Sequence, residues 1–188
     1  MRPPAKVPKT IHSRRLQATA HHEAGHAVAA WRKGLRFKHV TIEPNAEAGS
    51  LGHLLHSSAK WFNPEIDQSD RAILHAERHI ITAFAGQIAE AKFLGRRVRY
   101  GMKRDNEGAV DLGIRMCGSS EVREAYLRYC FLASRNLVDA NWKAIEAVAE
   151  ALLERRTLSQ EDVIEVIMPG SAAFRATLER AAAKQKKG

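Results

Sequence analysis

From about Ser13 to Lys33 the apolar positions Leu16, Ala20, Ala24, Ala27, Val28 and Trp31 recur at steps of three and four. That is the repeat of one helix face, and Gly34 stands where a C-terminal cap belongs. Phe37 to Ile42 alternates basic, apolar and β-branched residues and stops at Pro44, which predicts a short strand. Asn45 to Gly49 reads as a turn, and Ser50 to Leu55 as a second strand of the same small sheet. Residues 57–69 form a loop that carries Trp61 and Phe62. A long helix is predicted from about Asp70 to Leu94, with Ile73, Ile80, Ile81, Phe84, Ile88 and Ala91 as its buried face and Gly95 closing it. A basic loop over 96–104 leads to a helix starting near Asp105. More helix follows from about Glu121 to Arg156, and Ser159 caps a short last helix that ends at Pro169-Gly170. The fold class is α+β, mostly helical with one small β-sheet.

The chain has 188 residues, 45% hydrophobic and 27% charged, which is the usage of one ordinary globular domain. A body of this size buries a core without help from metal, so a metal site here is expected to serve function. The net charge is +9, and its location matters more than its size. Residues 1–15 carry five basic side chains and no acid, and residues 171–188 carry five against one. The body between them balances twenty basic against twenty acidic residues. The chain therefore divides into a basic flexible tail over 1–15, a folded body over 16–170 and a second basic tail over 171–188. A nucleic-acid binder concentrates positive charge on a folded face, so this distribution argues against nucleic acid as the main partner. No apolar run approaches the ~20 residues of a membrane span, and the first residues lack the apolar stretch of a secretory signal. Cys117 and Cys130 fit neither a disulfide framework nor a zinc-ligand pair. Reduced thiols and a cytoplasmic location are the expectation.

The residues His22-Glu23-Ala24-Gly25-His26 carry the sharpest chemistry, the pattern HExxH. Side chains four apart on a helix share a face, so both imidazoles can offer a nitrogen to one zinc ion at about 2.0–2.1 Å. Glu23, one step round, can act as general base on a zinc-bound water whose pKa is lowered toward ~7. The same pattern also arises as two exposed histidines beside an ordinary glutamate. The surrounding TAHHEAGHAVAAW is small and apolar, however, and charged groups in such a face are costly unless paired or metal-bound. Gly25 costs about 1 kcal/mol against alanine within a helix, which points to close approach of another backbone or of substrate.

HEAGHAVAAW, then KHVTIEP, FAGQIAEAKFLG and GMKRD resemble, in that order, the peptidase domain of the FtsH family of AAA+ zinc metalloproteases. WKAIEAVAEALLERRTLSQEDV is similar to that family's last helices, so the resemblance covers roughly residues 20–168. It implies a zinc metalloendopeptidase with Zn²⁺ held by His22, His26 and, on the family's aspartate, Asp105. Asp111 competes for that third place because VDL echoes the family's NDL. With Asp105 as ligand, Ala109, Leu112 and Met116 follow at steps of four, seven and eleven, one apolar helix face. Glu90 matches the first glutamate of the family's AAEE and is expected to hold a ligand imidazole in its tautomer. GGRAAEE has become AGQIAEA here, and GASNDL has become GMKRDN. The chain also shows no GxxxxGK[ST] nucleotide loop, so the expected activity is ATP-independent and directed at flexible or unfolded polypeptide. A homo-oligomer or a separate unfoldase are the partners this leaves open.

Two other readings stand beside the peptidase: a catalytically silent zinc-binding regulatory or binding module, and a nucleic-acid-associated factor using the basic tails. Retention of Glu23 weighs against the first and the neutral body against the second. His75 and His79, four apart around Glu77, imitate a second site but read as a solvated helix face. His53 and His56 fall at the second strand as edge polar residues, and His21 lies one position off the HExxH face. Trp61-Phe62 is either a substrate-contacting lip or a plug over the sheet.

Overall fold

The computed structural model describes residues 13–44, 53–56, 62–63, 67, 69–97 and 107–169. Within them lie α1 (Arg14–Arg32), β1 (Phe37–Thr41), β2 (His53–His56), α2 (Asp70–Phe93), α3 (Glu107–Met116), α4 (Ser120–Ala140), α5 (Trp142–Arg155), β3 (Thr157–Ser159) and α6 (Gln160–Ile167). The predicted turn at Asn45 to Gly49, Trp61, most of the 96–104 loop, most of the N-terminal basic tail and all of the C-terminal one lie outside the described residues.

Serine side chains start most of these helices. Ser13 Oγ accepts the Leu16 N–H, Ser69 Oγ that of Ala72, and Ser119 Oγ that of Val122, each satisfying a donor the first turn leaves open. Ser159 closes a full capping box with Asp162 at the start of α6. Gly34 and Gly95, both at φ +68, take the left-handed turn just past α1 and α2.

The sheet is three-stranded and antiparallel in the order β2-β1-β3. Val40 pairs with Leu54 on one side and Leu158 on the other, and the register with β2 shifts between Phe37 and His39. The third strand is an addition to the sequence reading: three residues are too short for alternation to declare a strand. It forms because Arg156, at φ 66, reverses the chain after α5 and presents its carbonyl to the Ile42 N–H and the Thr41 hydroxyl.

The core lies where α2 is clasped by α1 on one side and α4 on another. Its α1 face is nearly all alanine (Ala20, Ala24, Ala27 and Ala30 are fully buried), which lets the two helices approach closely. Ile80, Ile81, Phe84 and Ile88 fill the layer, and Phe84 meets Phe131 of α4 edge to face. Ser134, buried in α4, donates to the Ile81 carbonyl at 2.8 Å. Two expected core positions differ. Ile73 is 37% exposed, because burial at that end of α2 passes through Ala72 and Ala76, and Ala91 is only half-buried. The helical stretch from about Glu121 to Arg156 is two helices, broken at Asn141, whose side chain donates to the Leu137 carbonyl. No described helix is long and apolar enough to cross a membrane.

Candidate metal centre

His22 and His26 project from α1 toward α2, and each ring is fixed by its Nδ1. His22 Nδ1 lies 3.0 Å from Glu90 Oε2, and His26 Nδ1 lies 2.8 Å from the Thr82 carbonyl oxygen. A carbonyl only accepts, so His26 carries its proton on Nδ1, and an ionised Glu90 imposes the same tautomer on His22. The two Nε2 atoms then face each other at 3.1 Å. Two lone pairs at that separation repel unless a cation stands with them, either a proton on one ring or a metal ion between both.

The space in front of the pair is kept open by Gly86 of α2. A methyl group there would stand 2.3 Å from His26 Nε2 and 2.8 Å from His22 Nε2. Gly25, between the two histidines in sequence, is as tightly placed: its Cβ would lie 2.7 Å from the Ala85 carbonyl oxygen and 2.8 Å from Ala89 Cβ. Glu23 is 5% exposed, a carboxylate carried into the core by the same turn of α1. Paired imidazoles, an orienting carboxylate and a cleared volume are a donor set suited to zinc.

The structure therefore brings together His22, His26 and Glu90. Asp105 lies outside the described residues. Asp111 is exposed on α3 and pairs with Arg115 at 3.0 Å. Among the described residues no group of three or more His, Cys, Asp or Glu side chains gathers in a metal-holding arrangement. Thr82 and Gly86 are the two participants that sequence reasoning missed. The first acts through its backbone, which leaves no trace in side-chain type. Gly86 was visible as a glycine inside a strong helix, a costly placement that asks for a close contact.

The other histidines separate by role. His21 is buried, stacked on Phe93 at 4.0 Å and near Trp142 at 5.7 Å, with Nδ1 donating to the Gln17 carbonyl. Burial lowers its pKa against the opposing pulls of that bond and of Glu146 and Glu150, so it packs as a neutral ring. His75 and His79 differ from the solvated face expected of them, since both are half-buried and Phe62 packs against both. The side chains of His53 and His56 lie outside the description.

No protein-family model matches the chain. Among characterised proteins it is similar to the ATP-dependent zinc metalloprotease FtsH 1 of Symbiobacterium thermophilum, 31% identical over 86% of this chain. FtsH of Mycoplasmopsis synoviae is 24% identical over 85% of it, and FTSH 11 of Arabidopsis thaliana, chloroplastic/mitochondrial, 28% over 80%. The matched segment is 30%, 29% and 21% of those proteins, so the chain spans less than a third of the relatives' length. Over some four-fifths or more of its own length, this chain is homologous to a segment of proteins named FtsH zinc metalloproteases.

Proposed function

We propose that this chain is a zinc-dependent endopeptidase that hydrolyses flexible or unfolded polypeptide. The observation that carries the reading is the pair of Nε2 atoms at 3.1 Å, with both Nδ1 atoms committed to acceptors and Glu23 buried on the same helix. His22 and His26 would hold the metal, with Asp105 as the third ligand. Zinc, when bound, would supply the Lewis acidity that makes water a nucleophile near neutral pH. Glu23 takes the proton of the attacking water and hands it to the leaving amine. Glu90 and the Thr82 carbonyl keep the two rings turned to their task. Substrate is extended, adding to an edge of the sheet so that its backbone is held while the scissile bond lies before the histidines. Of the two edge strands among the described residues, β2 has the more extensive contact with α1.

The residues named need no ATP for that cleavage, the setting is cytoplasmic, and a homo-oligomer or a separate unfoldase are the partners left open. The name shared by the relatives and the donor set support zinc as the metal. The test is zinc content together with cleavage of casein or an unfolded peptide, with and without a chelator, in the wild type and in Glu23→Gln. The amide cannot accept the water proton, so cleavage is expected to fall by roughly 10²–10⁴-fold with zinc still bound. Zinc uptake without cleavage in the wild type would instead favour a silent zinc-binding module.

A further inference from the structure

We infer that His75 and His79 form a second, independent chelate for a zinc-class transition metal ion, on the same stripe of α2 that faces the first pair. Their Nε2 atoms are 3.2 Å apart, almost the separation found between His22 and His26. Two ligand nitrogens that share one tetrahedral ion at about 2.0–2.1 Å stand roughly 3.3 Å apart, so little adjustment is needed to admit the ion. The rings meet edge to face at 4.7 Å, and Phe62 packs edge-on to His75 at 4.7 Å and parallel to His79 at 6.4 Å. Half-burial under that ring restricts rotation, which lowers the entropy lost on chelation.

Position on the helix adds to the argument. At 100° per residue His75, His79, Gly86 and Glu90 fall within an arc of about 60°, and His79 precedes Gly86 by roughly 10 Å of helix axis. The second pair therefore continues the line of α2 that faces the first pair on α1, and among the described residues the two do not gather into one metal-holding group. Water fills the coordination positions that two imidazoles leave open. Arg71 and Arg78, exposed on the same part of α2, oppose a cation there, while Glu77 lies between the histidines in sequence. The second site is accordingly weaker than a centre completed by a carboxylate.

Titration of the whole chain with zinc against a chromogenic chelator tests this, read beside the imidazole signals of the unmutated protein by NMR. The expected result is a weaker equivalent of zinc that disappears in H75Q/H79Q and persists in H22Q/H26Q, with the His75 and His79 ring signals moving as it binds. Because the two double variants address different pairs, failure here is separable from failure of the peptidase reading. Zinc uptake unchanged by H75Q/H79Q, or ring signals of His75 and His79 that stay in place at excess zinc, overturns the proposal.

Discussion

His22 on α1 and Glu90 on α2, 68 positions apart in the chain, meet through Nδ1 and Oε2 at 3.0 Å. The carboxylate is 41% exposed and the imidazole 15%, so the bond lies at the rim of the core. Its value is in orientation more than in Coulomb energy, which solvent screens at such a site. Glu90→Ala is expected to weaken zinc binding by roughly 10–100-fold, and Glu90→Gln, whose amide oxygen still accepts, by less. Competition with a chelator of known affinity measures both. Equal affinities in all three proteins would reduce Glu90 to a surface acid.

The two glycines of the α1–α2 contact should fail in different ways. Gly86→Ala places a methyl group against movable imidazoles, so zinc and cleavage are lost while the thermal midpoint shifts little. Gly25→Ala places one against the Ala85 backbone, so the helices themselves must part, at a cost of about 1–3 kcal/mol. Zinc is expected to be lost from both variants, so melting curves are the measurement that separates these outcomes.

The third ligand is decided by Asp105→Ala and Asp111→Ala side by side. Asp111 already pairs with Arg115 on an exposed helix surface, so its loss is expected to leave zinc in place. Asp105→Ala should lose most of the metal. The reverse result moves the alignment of this segment by six residues.

A fourth expectation concerns acid. Partial burial opposes ionisation of Asp162, but the bonds from the Ser159 hydroxyl and N–H and the Arg155 guanidinium outweigh it, leaving the carboxyl below its ordinary range. A group depressed in the folded state stabilises fully above its unfolded pKa, near 3.9, and loses that contribution as pH falls through the folded value. Urea melts at pH 7 and pH 3 should therefore show the Asp162→Asn deficit shrinking in acid. Ser159→Ala, which removes the cap, should cost about 1 kcal/mol at neutral pH.

The helices were legible because their apolar faces repeat with helix period and their ends carry Ser and Gly signals. α1, α2 and the capped α6 are found within one or two residues of where those signals stand. β3 was not legible, since its hydrogen bonds depend on Arg156 adopting a positive φ that an arginine does not advertise. Ile73 misled because periodicity reports a face and says nothing of where neighbours stop covering it. At the candidate site, His22, Glu23 and His26 are readable from spacing alone. Glu90 needed a family pattern, and the Thr82 carbonyl has no side-chain signature at all.

Gly25 lies flat on Ala85 and Ala89, with His26 next to it along α1 and His22 three residues before it. Spreading that seam by the thickness of one methyl group carries His26 off Thr82 and His22 off Glu90 in the same movement. The imidazole pair is thus a strain gauge for the helix crossing. Heat, denaturant or a bulky substitution anywhere along the seam should register there before the rest of the core gives way. The zinc ion proposed for the pair would work the gauge in reverse: it would bind only the closed seam, and clamp it harder as the logarithm of its concentration rises.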